Sequence, residues 1–389
     1  MAAVSMLGPR EAGKFIASLA KDVSIRPDGV MKTARVIADA VKSGQLDMEA
    51  FKQNEVLPLG RGLTQGQLAN WVFLIDSLNF NFWTPDGQPK YSVTHEGKET
   101  SALSHLSAPH LPSQTRTGYL AMVAAVNRAL DEGQPMCDPT HYATLTLQDL
   151  THIFRSDTPS KMPLLEKRFE VLQEISGILK EKFGGSFEGV LTRAENSAVK
   201  LVEIVTESFP CFRDVASFEG RPVAFYKRAQ ILAADLWMLY RGQAPGGFTD
   251  MGELTMFADY RVPQSLAYLG ALEYSDALLQ RLKEQYVFSS GDREEVEIRG
   301  CSIEATERIV EAARSLLQAE GGGDVTSIKV DFFLWDYRVK HAAKTDHETN
   351  FLDHHTRGKQ QEAIRPTRGS PCMKHVHLHP PNTTNPPHP

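Results

Sequence analysis

One short stretch combines the residue types of a ligand site. Phe257 and Tyr260 flank Asp259, and Arg261 follows two residues later. A carboxylate among aromatic rings is costly to bury unless it is paired or used, and such surroundings can shift a pKa or present a charge to a flat ligand. The same residues also describe a helix entrance, with Asp259 as the cap, Pro263 in the first turn and Arg261 in a surface ion pair. Taken alone, the stretch favours this structural interpretation.

A second cluster of acids and aromatic residues lies near residue 330. Asp331 and Asp336 are five residues apart, and Phe332 lies between them. On a strand the two carboxylates would face opposite sides, and on a helix they would be well separated around the axis. The spacing therefore does not predict a catalytic dyad, although both acids could serve one ligand if the segment bends.

Together the two clusters indicate a flat, polar ligand, because aromatic rings stack on heterocycles and carboxylates accept their N–H donors. The sequence contains no GxGxxG, GxxxxGKS/T, HExxH or GxSxG motif. Of the common catalytic chemistries, one based on carboxylic acids remains. Cleavage of a glycosidic bond is its natural case, since a fixed carboxylate stabilises an oxocarbenium-like cation or orients water.

Two further features concern charged groups near predicted helices. Lys227 and Arg228 stand at the start of a predicted helix, where free N–H groups and the helix dipole would help them to hold a phosphate. The alternative is that both are solvated cations. Asp76 falls inside the dense apolar run from Asn70 to Trp83, whose second part alternates like an extended segment. We expect Asp76 to belong to a buried hydrogen-bond network.

The elements that would position these residues are mostly helices. Apolar residues recur every three or four positions, as from Leu165 to Leu179 and from Val190 to Val205. Alternation predicts a short strand near Tyr91 to Thr94 and another from Glu294 to Arg299. The sequence thus predicts a mainly α fold with a small β element.

Residues 1–340 form one predicted unit, with an inserted or exposed loop at 101–116 that is rich in Ser, Pro and His. The stretch 341–389 holds eight of the thirteen histidines and several prolines, and we expect a disordered tail. His375, His377 and His379 alternate within it. They lack an orienting carboxylate or an ordered framework, so no native metal site is predicted.

Composition restricts the class of protein further. The 389 residues carry a formal net charge of -6, which disfavours a polyanion groove and hence a stable nucleic-acid partner. The four cysteines are scattered without a CxxC pair, so a reducing compartment fits best. We find no secretory signal and no apolar run of membrane length. These features predict a cytoplasmic protein.

Seven blocks carry a resemblance to a known family. They are NWVFLIDSLNFNFW, AAVNRALDEG, ENSAVKLVEIVTESFPCFRD, FYKRAQILAADLW, MFADYRVPQSLAYLGALEYSD, GDREEVEIRG and VDFFLWDY. In this order they resemble the queuosine salvage proteins, the queuosine 5'-phosphate N-glycosylases, from the N-terminus to about residue 340. The resemblance implies a fold similar to the helical DNA glycosylases and no metal or organic cofactor. It also implies hydrolysis of queuosine 5'-phosphate, which releases queuine for tRNA modification.

The resemblance further implies which residues line the pocket. Those for the base and sugar are Phe257, Asp259, Asp331, Phe332 and Asp336. We expect Asp331 or Asp259 to face the anomeric carbon, with a slight preference for Asp331, while the other acids bind the base, its amine or the ribose hydroxyls. The candidates for the 5'-phosphate are Lys227, Arg228 and Arg261.

The sequence also departs from the family pattern. Phe332 stands where the family usually has Tyr, and Glu55 stands nearest the position of a family histidine that contacts the base. The 101–116 segment and the tail from residue 341 are unlike the family. Two other functions stay open: a non-enzymatic binding protein for a modified nucleoside or tRNA, and a helical scaffold in which the acids only cap and pair.

Overall fold

The helical apolar spacing of the sequence becomes fourteen α-helices within the part of the chain that the structure describes. In this computed structural model that part comprises residues 5–46, 57–58, 61–82, 84, 87–95, 114–259, 261–284, 286–319 and 322–341. The mainly α fold with a small β element is thereby confirmed, while the likeness to DNA glycosylases stays a prediction. None of the described helices is both long and apolar enough to span a membrane.

The elements of the first half are α1 (Pro9–Leu19), β1 (Val23–Ile25), α2 (Pro27–Lys42), α3 (Gln65–Leu78), β2 (Ser92–His95), β3 (Gln114–Thr117), α4 (Gly118–Asp131), α5 (Pro139–Tyr142), α6 (Leu147–Ile153) and α7 (Leu165–Lys182). Those of the second half are α8 (Glu188–Ala194), α9 (Ala198–Ser208), β4 (Val215–Phe218), β5 (Arg221–Ala224), α10 (Lys227–Leu239), α11 (Arg261–Tyr268), β6 (Leu272–Tyr274), α12 (Asp276–Lys283), α13 (Arg293–Gln318) and α14 (Ser327–Lys340).

The six strands form three separate antiparallel pairs, β1 with β6, β2 with β3 and β4 with β5. The first pair joins distant parts of the chain, since Val23 lies opposite Tyr274. The predicted strand near Tyr91 is confirmed as β2. Residues 114–116 of the expected loop belong to β3, and the rest of that loop lies outside the described residues.

The helices enclose two hydrophobic cores. The first is built mainly from helices α3 to α10, with large aromatic side chains such as Phe73 and Phe209 at its centre. The second joins the N-terminal helices α1 and α2 to helices α11 to α14. Chain order therefore does not separate the cores, because the two ends of the described chain pack together around the second one.

The stretch before α11 lies where the two cores meet. Phe257 belongs to the first core, whereas its neighbours Met256 and Ala258 belong to the second. Helix α14 contributes to both cores in the same way, with Ile328 in the first and Val330 in the second. Both acid-aromatic clusters of the sequence are thus placed at this junction by the burial of their own neighbours.

Two predictions about local structure are wrong. The segment from Glu294 to Arg299 is not a strand but part of helix α13. Its alternation misleads because Glu295 and Glu297 are buried together with the neighbouring Val296 and Ile298. Glu297 accepts hydrogen bonds from the backbone N–H groups of Lys21 and Asp22, at 2.9 and 2.7 Å. These bonds offset the cost of burying a charged group on the inner face of a helix.

The residues from 190 to 205 form two helices rather than one. Helix α8 ends before Glu195 and Asn196, which both adopt left-handed backbone angles with φ of 52° and 61°. Helix α9 then begins behind Ser197, whose hydroxyl accepts the N–H of Lys200 at 3.0 Å. The apolar spacing continues across this break, so it does not reveal the turn.

Helices α1 and α13 approach each other closely at two glycines. A Cβ atom on Gly300 would lie 2.6 Å from side-chain atoms of Ile16, and one on Gly13 would lie 2.8 Å from Ile303. No larger residue fits at either position without movement of the neighbouring helix. This contact fixes the part of α13 that carries Arg299, which matters for the site below.

Candidate active site

Asp259 caps helix α11. One of its carboxylate oxygens, Oδ1, accepts hydrogen bonds from the backbone N–H groups of Arg261 at 2.8 Å and Val262 at 3.1 Å. The side chain is half-buried. Its second oxygen makes no hydrogen bond with a described residue. The capping role is therefore real, and it leaves one carboxylate oxygen available to a ligand at the positive end of a helix.

Asp331 reaches the same place from helix α14. It is 4% exposed, and its Oδ2 accepts the backbone N–H of Phe257 at 2.8 Å. Burial raises the pKa of the Asp331 carboxyl well above its usual value, and the negative charge of Asp259 raises it further. The hydrogen bond from Phe257 and the charge of Lys227 act in the opposite direction. The two acid-aromatic clusters of the sequence thus meet at this hydrogen bond.

The aromatic members of the clusters also touch. The rings of Phe257 and Phe332 lie 5.7 Å apart in an edge-to-face arrangement, with 78° between their planes. Phe257 is buried, whereas Phe332 is half-buried and packs against the edge of the first core. An aromatic wall therefore stands beside the two carboxylates, as recognition of a flat ring requires.

Lys227, the first residue of α10, supplies a cation to the same site. Burial lowers its pKa, while the negative charges of Asp259 and Asp331 raise it. Its ammonium group forms no hydrogen bond or ion pair with a described residue, although both acids act on it. A half-buried ammonium in this position can bind an anionic group of a ligand.

The start of α10 is itself already capped by an acid. Asp214 accepts the backbone N–H of Lys227 at 3.0 Å through its Oδ2. The helix dipole and this N–H are therefore satisfied by a carboxylate of the protein. The expectation that they assist a bound phosphate has no support from this geometry, and only the side chain of Lys227 stays a candidate.

Arg228 turns into the protein interior. It is 8% exposed, and its guanidinium donates to the carbonyl oxygen of Ser77 at 2.8 Å and also to that of Cys211. A longer contact of 3.5 Å reaches the carbonyl of Asp76. Because these backbone groups occupy the guanidinium, Arg228 is a structural tie between α10 and the end of α3. We do not carry it into the proposed phosphate site.

Two other predicted site residues lie on the helices that carry the acids. Arg261 is the first residue of α11 and is half-buried beside Asp259. Asp336 is half-buried on α14, five residues beyond Asp331. At 3.6 residues per turn this spacing separates the two side chains by about 140° around the helix. The helix therefore keeps Asp331 and Asp336 apart, as the spacing indicated.

Arg299 joins the segment before α11 to the segment before α10, and no sequence pattern singled it out. Its Nε donates to the carbonyl oxygen of Ala258 at 3.0 Å, and its NH1 donates to Asp214 at 2.9 Å. One guanidinium thus fixes the backbone next to Asp259 and the acid that caps Lys227. The alternation in the sequence predicts a strand for the part of α13 that contains Arg299. A strand there does not suggest a contact between Arg299 and this junction.

Some predictions lie outside the described residues. These are Glu55, residues 101–113, Trp83 and the tail from residue 342 onward with its three alternating histidines. Within the described residues no group of three or more His, Cys, Asp or Glu side chains could hold a metal ion.

The comparison with known proteins agrees with the resemblance. A family model described as "Queuosine salvage protein" matches residues 62–358 and so extends past residue 340. The chain is 44% identical to the "Queuosine 5'-phosphate N-glycosylase/hydrolase" of Bos taurus over 340 residues, which cover 86% of this chain and 94% of that protein. The protein of the same name from Mus musculus is 43% identical and is likewise covered to 94%.

A more distant relative with this name, from Sphaerobacter thermophilus, is 38% identical over 79% of this chain and 91% of its own length. The family model covers more than half of the chain, and several relatives exceed 30% identity over almost their whole length. The protein therefore belongs to the queuosine salvage protein family, and the predicted family is confirmed.

Proposed function

We propose that the protein hydrolyses the N-glycosidic bond of queuosine 5'-phosphate and releases queuine for tRNA modification. The observation that carries this proposal is the hydrogen bond from Phe257 to Asp331. Around this bond two carboxylates and two aromatic rings lie close together, near the ammonium group of Lys227. The names of the relatives support the same bond and the same substrate.

The base of this substrate explains why acids would be needed. It is a 7-deazaguanine, so it has no N7 atom that could accept a proton and make the base a better leaving group. Catalysis must instead stabilise the cationic sugar and deliver a proton elsewhere on the base. Two carboxylates in different environments can divide these tasks.

The electrostatics of the site favours a particular division. Asp259 sits at a helix N-terminus and accepts two N–H groups, which stabilise its negative charge. In the proposal its free oxygen faces the anomeric carbon and stabilises the oxocarbenium-like transition state. Asp331 is buried beside that charge, so it holds a proton more readily and donates it to the departing base. This order is the reverse of the slight preference for Asp331 that the sequence suggested.

The step balances as a hydrolysis. The bond between C1' and the base nitrogen breaks, the base keeps the electron pair, and it receives the proton of Asp331. Water adds its oxygen to C1', and a proton of that water restores Asp331 by way of solvent. No redox partner or cofactor enters the reaction.

The remaining residues would hold the substrate. Phe257 and Phe332 provide the aromatic wall for the base. Lys227 and Arg261 stay the candidates for the 5'-phosphate, since both are half-buried and the charge of Lys227 interacts with both acids. Asp336 is proposed to contact the base or the ribose. A free nucleotide rather than tRNA is the proposed substrate, because the acidic net charge disfavours a polyanion.

We propose a cytoplasmic location for this reaction. The three cysteines within the described residues, Cys137, Cys211 and Cys301, are free and buried. Free thiols fit a reducing compartment.

Release of free base tests the proposed function. The purified full chain is incubated with queuosine 5'-phosphate, with unphosphorylated queuosine and with GMP, and free base is measured by chromatography. We expect release from queuosine 5'-phosphate, slower release from queuosine and none from GMP. Binding of queuosine 5'-phosphate without release at high enzyme concentration would instead identify a binding protein.

A substrate with a better leaving group tests the division between the acids. p-Nitrophenyl ribofuranoside 5'-phosphate releases a phenolate that needs no proton. The Asp331→Asn variant should therefore cleave it far better, relative to wild type, than it cleaves queuosine 5'-phosphate. The Asp259→Asn variant should be impaired on both substrates. If the two variants exchange these profiles, the roles of the acids are reversed.

A further inference from the structure

A second pair of acids lies on the inner side of helices α3 and α10. Asp76 on α3 is fully buried, and neither of its carboxylate oxygens has a hydrogen-bond partner. Asp235 on α10 is half-buried, and its Oδ1 is also buried without a partner. Buried polar groups are almost always hydrogen-bonded, so these oxygens require an explanation. Within the described residues the hydrogen bonds around Asp76 thus reach its backbone carbonyl, which Arg228 contacts, but not its carboxylate.

The nearby cations do not satisfy this pair. Arg228 donates to the backbone carbonyls of Ser77 and Cys211 instead. Arg168, which is fully buried, donates to the carbonyls of Phe80 and Asn81. Both arginines thus stabilise the backbone at the carboxyl end of α3, where the helix dipole is negative. The carboxylates next to this backbone receive none of their N–H donors.

Partly exposed residues surround the fully buried Asp76, and we call this group the recess. Burial raises the pKa of Asp76 well above its usual value, and the charge of Asp235 raises it further. The side chain of Asn79 lies beside Asp76 and lowers that pKa, although no hydrogen bond of ordinary geometry reaches either oxygen. The pKa of Tyr119 is raised by burial and then by both acids, so its phenol lies close to them. The half-buried members of the recess are Asp235, Asn79 and Tyr119.

The recess adjoins the site of Asp259 and Asp331. Asp235 lies eight residues after Lys227 on the same helix, a rise of about 12 Å along its axis. The charge of Lys227 acts on Asp76 as well as on Asp259 and Asp331. The Lys227 ammonium is therefore close enough to both pairs of acids for their charges to interact.

We propose that Asp76 and Asp235 bind the protonated amine that the queuosine base carries on its side chain. This inference rests on the proposed function, since it assigns a part of that substrate to the recess. An ammonium group brings N–H donors and a positive charge, and both are what the unpartnered carboxylates lack. Within the described residues the recess holds too few ligand side chains for a metal ion.

The alternative is that the two acids share one proton and bind nothing. The variant Asp235→Asn separates the two possibilities, because its amide can donate an N–H to Asp76 and so satisfy the shared-proton arrangement. Under that alternative the substitution leaves ligand binding unchanged. Under the proposal it removes the charge that selects an ammonium.

The test compares two ligands that differ only in the group on the 7-substituent, which is a cationic amine in one and a neutral hydroxyl in the other. They are 7-aminomethyl-7-deazaguanosine 5'-phosphate and its neutral 7-hydroxymethyl counterpart, and their Kd values are measured by titration calorimetry on the full chain. Charge-assisted hydrogen bonds favour the amine, so wild type should bind it about 10–100-fold more tightly. In Asp235→Asn, and separately in Asp76→Asn, this ratio should fall to near one. The control Glu181→Gln changes an exposed acid on α7 and should keep the wild-type ratio.

A ratio that stays at its wild-type value in both variants, or an equal loss of affinity for both ligands, overturns the proposal. So does a wild-type ratio near one. Because Kd needs no turnover, the result is independent of the hydrolysis assay. If the protein released no queuine but kept the wild-type Kd ratio, the proposed function would be rejected and the ammonium site would be retained.

Discussion

Two pairs of aspartates lie near Lys227, and the two pairs have different hydrogen-bond partners. Asp259 and Asp331 accept three backbone N–H groups between them. Neither carboxylate oxygen of Asp76 has a hydrogen-bond partner among the described residues, and the buried Oδ1 of Asp235 has none either. The residue type is the same in all four cases. The difference lies in whether the backbone around each acid supplies donors.

This difference indicates that the first pair is oriented by the protein itself, whereas the second pair can recognise a ligand. The N–H groups at α11 and at Phe257 hold Asp259 and Asp331 in place before any ligand arrives, which is the condition for stabilising a transition state. Asp76 and Asp235 instead keep unused acceptor capacity for donors that a ligand brings. Substitutions in the first pair should therefore act on turnover, and those in the second pair on binding.

The largest effect is expected from Asp259→Asn. Asn is also a good helix cap, so the fold should persist while the charge at the anomeric carbon is lost. We expect kcat for queuosine 5'-phosphate to fall by about 10²–10⁴-fold, with a small change in KM. The matched control is Asp276→Asn, which changes an exposed aspartate in the first turn of α12. An Asp259→Asn variant with the kcat of this control would remove Asp259 from the chemistry.

The neighbourhood of the first pair could be predicted from the sequence, since it follows from local patterns. A carboxylate before a proline-containing helix predicts a cap, and Asp259 is one. The aromatic residues around Asp259 and Asp331 predict burial, and their alternation between the two cores brings both acids to one junction. The resemblance added the expectation that the clusters share a pocket, which the Phe257 to Asp331 hydrogen bond supports.

The second pair and the ties between segments could not be predicted in this way. Asp76 and Asp235 are 159 positions apart in the chain as numbered, and only the packing of α3 on α10 brings them together. Arg228 has the position of a ligand residue, but carbonyls at the end of α3 take its donors. Buried charges with backbone partners leave no local pattern, so the sequence does not distinguish them from solvated ones.

The next largest effect is expected from Arg299, which hydrogen-bonds to the backbone next to Asp259. Arg299→Met would remove the guanidinium from the partly buried Asp214, which would keep only the N–H of Lys227, and from the carbonyl of Ala258. Breaking such a pair typically costs about 3–5 kcal/mol of unfolding free energy. Arg308→Met is the matched control on the same helix, because Arg308 is 48% exposed and pairs with Glu304 at the surface. Loss of an exposed pair costs about 1 kcal/mol or less.

Urea denaturation measures both unfolding free energies. A positioning role for Arg299 additionally requires a fall in kcat/KM in the fraction that stays folded, which the Arg308 control should not show. Arg299→Lys should recover only part of the loss, since a lysine cannot donate to Ala258 and Asp214 in the same fork. Equal destabilisation by Arg299→Met and Arg308→Met would show that the tie contributes no more than a surface pair.

The smallest expected effect is on stability as a function of pH. The folded-state pKa of Asp331 is raised by burial, so the folded protein holds a proton that the unfolded chain has already lost. The stabilising contribution of this proton is complete below the usual aspartate pKa of 3.8 and is lost as pH rises through the raised value. Asp331→Asn does not titrate. Its Tm relative to wild type should therefore increase from pH 4 to pH 8, by on the order of 2 °C.

For Asp214 we expect the opposite dependence of Tm on pH. Its pKa is lowered in the folded protein, because Arg299 and the N–H of Lys227 outweigh the effect of burial. Its contribution is present above the usual aspartate pKa and is lost as pH falls through the lowered value. The Tm of Asp214→Asn relative to wild type should thus be lowest near neutral pH and recover towards acid. Parallel pH profiles for Asp331→Asn and Asp214→Asn would contradict the view that backbone donors and ion pairs, rather than burial alone, set the charge of each acid.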